Sequence, residues 1–113
     1  MYQKKMAARL HGDNKSVNGS TEFRLEQNTP NPFGAQTVIR FSVPRRCDVK
    51  LVVYNLREEL VCVLHEGQFI PGCYLAEWEG TDGEGQRLKN GSYVYRLEAD
   101  GFVATRRLKI GNE

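Results

Sequence analysis

From Thr21 onward, short segments rich in valine, isoleucine, tyrosine and phenylalanine alternate with turn residues at regular intervals. Such segments favour β-strands, and no stretch keeps a helical period for long enough to build an α/β fold. The sequence therefore predicts an all-β domain of about seven strands. These strands are predicted at residues 22–27, 37–43, 48–55, 60–65, 73–79, 92–98 and 102–110.

Alternation fixes which residues face inward, because neighbouring side chains of a strand point to opposite sides of the sheet. The inward phase is mostly apolar or aromatic, although Arg106 falls in it and is expected at a rim or beside a carboxylate. Asp-Gly at 100–101 and Asn-Gly at 90–91 predict tight turns. The predicted core contains Phe33, Ile39, Phe41, Leu51, Val53, Trp78, Tyr93, Tyr95 and Leu97.

The length and charge of the chain limit what it can do. A chain of 113 residues should fold as one domain around one core, which leaves little room for a deep active site. Its formal net charge of +2 argues against a chain built to bind nucleic acid. No apolar run approaches the ~18 residues of a spanning helix, so any membrane association is expected to be peripheral.

The first twenty residues keep no strand or helix period and contain glycine and asparagine breakers. We therefore expect a flexible arm at 1–20, followed by the folded domain at 21–113. The arm is either a solvated tail or a docking arm that contacts a partner through Lys4, Lys5 and Arg9. It lacks the apolar segment of a secretory signal, so export by another route, release from a longer precursor and an internal location stay open.

No residue is predicted to be catalytic or to bind a cofactor or a metal ion. His11 and His65 have no serine or cysteine placed to form a triad with them, and the acidic stretch at 77–84 lacks the spacing of a calcium loop. Cys47, Cys62 and Cys73 cannot all pair with one another. A disulfide between Cys62 and Cys73 and three free thiols are the alternatives, and alternation of faces favours the thiols.

Three motifs carry a resemblance: "LEQNTPNPF" at 25–33, "WEGTD" at 78–82 and "NGSYVYRLEA" at 90–99. Together they resemble the FlgD-like immunoglobulin family of flagellar hook-cap domains and of C-terminal sorting domains of type IX secretion cargo. The resemblance implies an immunoglobulin-like antiparallel β-sandwich and a bacterial envelope or extracytoplasmic location. Glu58 departs from the family pattern, because glycine usually fills this turn position.

The segment "NTPNPF" at 28–33 makes architectural sense before a strand. Pro30 and Pro32 fix φ and remove backbone donors, which discourages another chain from pairing at this edge. We expect Asn28 and Asn31 to satisfy local backbone groups, and Phe33 to close the end of the sandwich.

The sequence predicts a non-enzymatic structural or accessory subunit that acts through protein–protein contacts in a larger assembly. Tyr54 and Phe69 fall outside the inward phase, so they are either half-buried rings or exposed contacts for a partner. The resemblance implies one alternative, a C-terminal sorting and anchoring domain of a type IX-secreted surface protein. A second alternative is a carbohydrate-binding module with Trp78 or Tyr54 as the stacking platform.

Overall fold

The computed structural model describes residues 6–12 and 22–111, and the described chain is all-β. Its strands are β1 at Ala8–Gly12, β2 at Arg24–Leu25, β3 at Thr37–Val43, β4 at Cys47–Tyr54, β5 at Leu60–Phe69, β6 at Gly72–Trp78, β7 at Gly91–Ala99 and β8 at Phe102–Ile110. They form two antiparallel sheets, a first sheet in the order β1-β6-β3-β2 and a second sheet in the order β5-β4-β7-β8. This β-sandwich confirms the predicted fold class. The described residues include no helix long and apolar enough to span a membrane.

One hydrophobic core lies between the two sheets. It forms because alternate residues of each central strand are apolar, so that one face of each sheet is removed from water. Ile39 and Trp78 contribute from the first sheet, and Leu51 and Leu97 from the second. Arg106 also points toward this side at the edge strand β8, where its Nε donates a hydrogen bond to the carbonyl of Leu25 at 3.1 Å.

Residues 8–12 form a strand, which corrects the prediction of a flexible arm for this part of the chain. β1 pairs with β6, placing Ala8 opposite Trp78 and Leu10 opposite Ala76. β1 is only five residues long, so its alternation of inward and outward residues is too short to recognise in the sequence. The rest of the predicted arm, residues 1–5 and 13–20, lies outside the described residues.

β5 is longer than predicted and irregular. Val52 of β4 stands opposite Val63, whereas Leu51 stands opposite His65, so Leu64 is an extra residue in the ladder. A β-bulge of this kind reverses the inward and outward phases beyond it. Alternation read from the first half of the strand therefore gives the wrong face for Phe69.

The chain crosses between the sheets on both flanks of the sandwich. On one flank, the N–H of Ala7 donates to the carbonyl of Val63 in β5 at 2.9 Å, directly before β1 begins. On the other, Thr29 pairs with Val38 of β3, and the N–H of Phe33 donates to the carbonyl of Lys109 in β8 at 3.1 Å. Both edges of the second sheet thus receive main-chain hydrogen bonds from segments associated with the first sheet.

Candidate contact surfaces

The polar side chains of "NTPNPF" form hydrogen bonds within the sandwich. Asn28 is buried, and its Nδ2 donates to the Thr37 hydroxyl at 3.0 Å and to the carbonyl of Pro30 at 3.1 Å. The oxygen Oδ1 of Asn31 accepts the N–H of Lys109 at 2.9 Å. Because these amides satisfy buried or edge backbone groups, the segment is a structural element of the sandwich and not a free ligand for a partner.

The aromatic residues of the predicted core close the end of the sandwich beside this segment. Phe33 is buried and its ring centroid lies 5.8 Å from that of Trp78. Trp78 is fully buried, and its Nε1 donates to the carbonyl of Thr81 at 2.9 Å. A ring in this position has no face for a sugar, which removes Trp78 as a carbohydrate platform. Tyr93 is half-buried. The remaining predicted core residues are buried: Ile39, Phe41, Leu51, Val53, Tyr95 and Leu97.

Phe69 is a core residue, which corrects both alternatives predicted for it, the half-buried ring and the exposed contact. Only 5% of Phe69 is exposed, and its ring packs against Phe41 at 5.7 Å and Tyr74 at 4.8 Å. The bulge in β5 turns this side chain inward. Tyr54 is half-buried and points outward, and the guanidinium of Arg96 lies 4.5 Å from its ring centroid.

The basic residues of the predicted arm fall into two groups. Lys4 and Lys5 lie outside the described residues. Arg9 is exposed on the outer side of β1, where its guanidinium lies 3.3 Å from the Glu77 carboxylate, which also lies 3.2 Å from Nε2 of His11. These exposed contacts join β1 to β6 and contribute little to stability.

The tip of the β4–β5 hairpin exposes two leucines that sequence reasoning missed. Leu56 is 56% exposed and Leu60 is 57% exposed, on either side of a turn. Asn55 fixes this turn, because its Oδ1 accepts the N–H groups of Arg57 at 2.8 Å and Glu59 at 3.0 Å. The signal in the sequence is a leucine on each side of three charged residues, which alternation alone does not identify as a turn.

The outward side chains of the second sheet divide into two halves of opposite charge. The half nearest the hairpin tip presents Leu60, Tyr54, Val94, Arg96, Arg107 and Lys109. The other half presents Asp48, Lys50, Glu66, Glu98 and Val103, which line a groove of about 570 Å³ together with Asp100. Basic side chains therefore dominate one half of this face, and carboxylates dominate the other.

In the acidic turn after Trp78, a carboxylate accepts hydrogen bonds from the backbone of the same turn. Oδ1 of Asp82 accepts the N–H groups of Glu84 at 2.8 Å and Gln86 at 3.0 Å. An aspartate that accepts two such bonds stabilises a turn. Among residues 6–12 and 22–111, no three His, Cys, Asp or Glu side chains are grouped to hold a metal ion.

Burial determines the protonation of Cys62 and His65. Cys47, Cys62 and Cys73 are all free thiols. Burial raises the pKa of the Cys62 thiol to about 12, which keeps it protonated and unreactive at neutral pH. Burial also lowers the pKa of His65, whose Nδ1 is enclosed without a hydrogen-bond partner and whose ring packs edge-on against Phe69 at 5.4 Å.

Comparison with known proteins supports the fold alone. No protein-family model matches the chain, and no curated protein matches it. A similar fold occurs in the crystal structure of dimeric latent PorU from Porphyromonas gingivalis, with a TM-score of 0.62 and 18% sequence identity. The match covers 79% of this chain and 9% of the PorU chain. The FlgD-like assignment stays a prediction, whereas the β-sandwich is shared with a small part of a longer protein.

Proposed function

We propose that this chain is a non-enzymatic accessory module that acts by contact with another protein, and that the tip of the β4–β5 hairpin is its contact surface. The observation that carries this proposal is the exposure of Leu56 and Leu60 on a turn held by Asn55. Exposed leucines on a turn with fixed geometry can enter a partner's pocket without a large cost in conformational entropy.

The surroundings of the two leucines support the same function. Tyr54 stands opposite Leu60 in the ladder and extends the apolar surface onto the outer face of the second sheet. Arg96 covers part of the Tyr54 ring and supplies a charged rim. Tyrosine and arginine are both enriched among energetically important interface residues, and here they lie beside the exposed leucines.

The experiment compares the native size of the wild-type chain with that of the double variant Leu56→Ser and Leu60→Ser, both produced in the source cells. Native gels are probed with an antibody to residues 22–111. We expect the wild type to migrate with a larger complex and the double variant to migrate as the free chain.

The matched control is Ile70→Ser, because Ile70 is 58% exposed but lies in the turn between β5 and β6, at the opposite end of β5 from the hairpin tip. This variant should stay in the complex. Circular dichroism of all three proteins checks that the sandwich is intact. A wild-type chain that migrates alone, or a double variant that stays in the complex, contradicts the proposed function.

The second candidate function is sorting and anchoring at the end of a type IX-secreted surface protein. The observation that favours it is the PorU match, in which a fold of this kind makes up a small part of a longer chain. Fusing the whole chain to the C-terminus of an exported reporter, in cells with that secretion system, tests this function. A reporter that stays in the periplasm excludes it.

A further inference from the structure

We propose that the outer face of the second sheet binds the same face of a second copy of this chain, with the strands of the two copies antiparallel. A two-fold interface must be self-complementary, because the same surface serves both copies. The outer face meets this condition: its basic half lies against the acidic half of the other copy when the strands run in opposite directions.

Arg96 and Glu98 lie where the two halves meet. They are neighbouring outward positions on β7, and Nη1 of Arg96 lies 3.3 Å from Oε2 of Glu98 within one chain. A two-fold axis that crosses the strands between these positions sets Arg96 of each copy opposite Glu98 of the other. Each arginine then lies between two carboxylates, and each carboxylate between two arginines.

The same axis brings together the outer parts of the two halves. Arg107 on β8 lies opposite the β7–β8 turn of the second copy, which carries Asp100, whereas Asp48 on β4 lies opposite Tyr54. The Asp100 carboxylate also accepts a hydrogen bond from Nε of Arg45 in its own chain at 2.6 Å, so the incoming Arg107 adds a second cation to this carboxylate. The groove of about 570 Å³ on the outer face leaves room for the long Arg107 side chains between the second sheets of the two copies.

Apolar contacts accompany these charges. Thr105 and Val103 occupy the outward positions of β8 on either side of the axis, so each threonine methyl approaches the exposed valine of the other copy. Val52 and Val63 are buried beside Arg96, beneath the centre of the contact. Charge complementarity sets the orientation, and these contacts remove apolar surface from water.

The size of the face predicts a reversible dimer. Six residues along β4 and three strand spacings give a face of about 20 by 14 Å. This is smaller than the ~800 Å² that each partner buries in a standard interface, so we expect a dissociation constant of about 10–100 μM. The purified chain tests this association in the absence of any hairpin partner, so its outcome is independent of the proposed function.

The test is sedimentation equilibrium of the purified 113-residue chain at about 5–500 μM. We expect the wild type to dimerise, and we expect Arg96→Glu and Glu98→Arg each to raise the dissociation constant by at least about tenfold. The double variant, Arg96→Glu with Glu98→Arg, exchanges the two charges and should restore the dimer. Thermal unfolding of each variant shows that the sandwich is intact.

Arg24→Glu is the control, because it reverses an exposed arginine on β2 of the first sheet. It should leave the dissociation constant unchanged. A wild-type chain that stays monomeric at all concentrations overturns the proposal, as does a dimer that is insensitive to both single reversals. Failure of the double variant to dimerise, with its fold intact, also overturns the proposed pairing of Arg96 with Glu98.

Discussion

The hydroxyl of Tyr95 lies 2.7 Å from the backbone nitrogen of Asn28, and it accepts a hydrogen bond from that buried N–H. It also donates a hydrogen bond to the carbonyl of Glu26 at 2.6 Å. One phenol on β7 thereby satisfies two backbone groups of the segment that runs from β2 into "NTPNPF". The two sheets are joined at this point by a polar contact within an apolar core.

Tyr95→Phe removes the hydroxyl and leaves the buried N–H of Asn28 without its acceptor. We expect the free energy of unfolding to fall by about 1–3 kcal/mol, the usual cost of an unsatisfied buried donor. Urea unfolding measures this loss. Tyr93→Phe is the control, since that hydroxyl donates to the carbonyl of Lys89 at 2.8 Å near the surface. Equal losses in the two variants would contradict a special role for Tyr95.

His65 makes the stability of the domain depend on pH. Burial lowers the pKa of His65 in the folded chain below the ordinary value, so the unfolded chain binds the proton more tightly. Stability should therefore be full above about pH 6.5 and fall as the pH is lowered through the region below it.

Chemical unfolding between about pH 7.5 and pH 5 measures this dependence. His65→Gln should flatten this dependence, because glutamine does not titrate in this range. A wild-type chain with the same slope as His65→Gln would show that the half-buried imidazole of His65 does not carry the effect.

Glu58 occupies a strained backbone position. Its φ of 66° lies in the left-handed region, where a side chain costs about 1–2 kcal/mol. Glu58→Gly should raise the free energy of unfolding by about 0.5–1 kcal/mol, after the greater freedom of glycine in the unfolded chain is subtracted. Thermal unfolding tests the sign. Glu59→Gly should instead destabilise, because it removes the 2.8 Å contact between Asn55 Nδ2 and the Glu59 carboxylate.

The three free thiols should differ in reactivity. Cys62 is buried with a pKa raised to about 12, whereas Cys47 and Cys73 are half-buried near the surface. In the native chain at neutral pH, we expect a thiol-disulfide reagent to label Cys47 and Cys73 well before Cys62. Mass spectrometry of the labelled chain, with a fully unfolded sample as reference, identifies each site. Rapid labelling of Cys62 in the native state would contradict its burial.

Much of the fold follows from local pattern, as β3 and β8 show. Both carry apolar residues at most alternate positions and are bounded by turn residues, and their observed limits are the predicted ones. β7 likewise begins at the Asn-Gly turn and ends before the Asp-Gly turn, where Asp100 and Gly101 both adopt positive φ. Each of these features is encoded within a few neighbouring residues.

The errors arise where position depends on distant parts of the chain. β1 is a strand because it pairs with β6. The alternation within Ala8–Gly12 is too short to predict a strand from this segment alone. Phe69 is buried because of the bulge at Leu64, which depends on pairing with β4. The candidate contact face was equally hidden, because its charged residues come from several strands, with Arg96 and Glu98 on β7, Asp48 on β4 and Arg107 on β8. Their charges form a pattern only after the sheet is assembled.

The crossings at Ala7 and at 29–33 restrict how this module can be extended. Each places a main-chain hydrogen bond on an edge strand of the second sheet, at Val63 on one side and at Lys109 on the other. A strand from another chain cannot pair with the carbonyls of Val63 and Lys109 without replacing these hydrogen bonds. These bonds discourage the growth of this sheet, strand by strand, into a continuous ribbon of many copies.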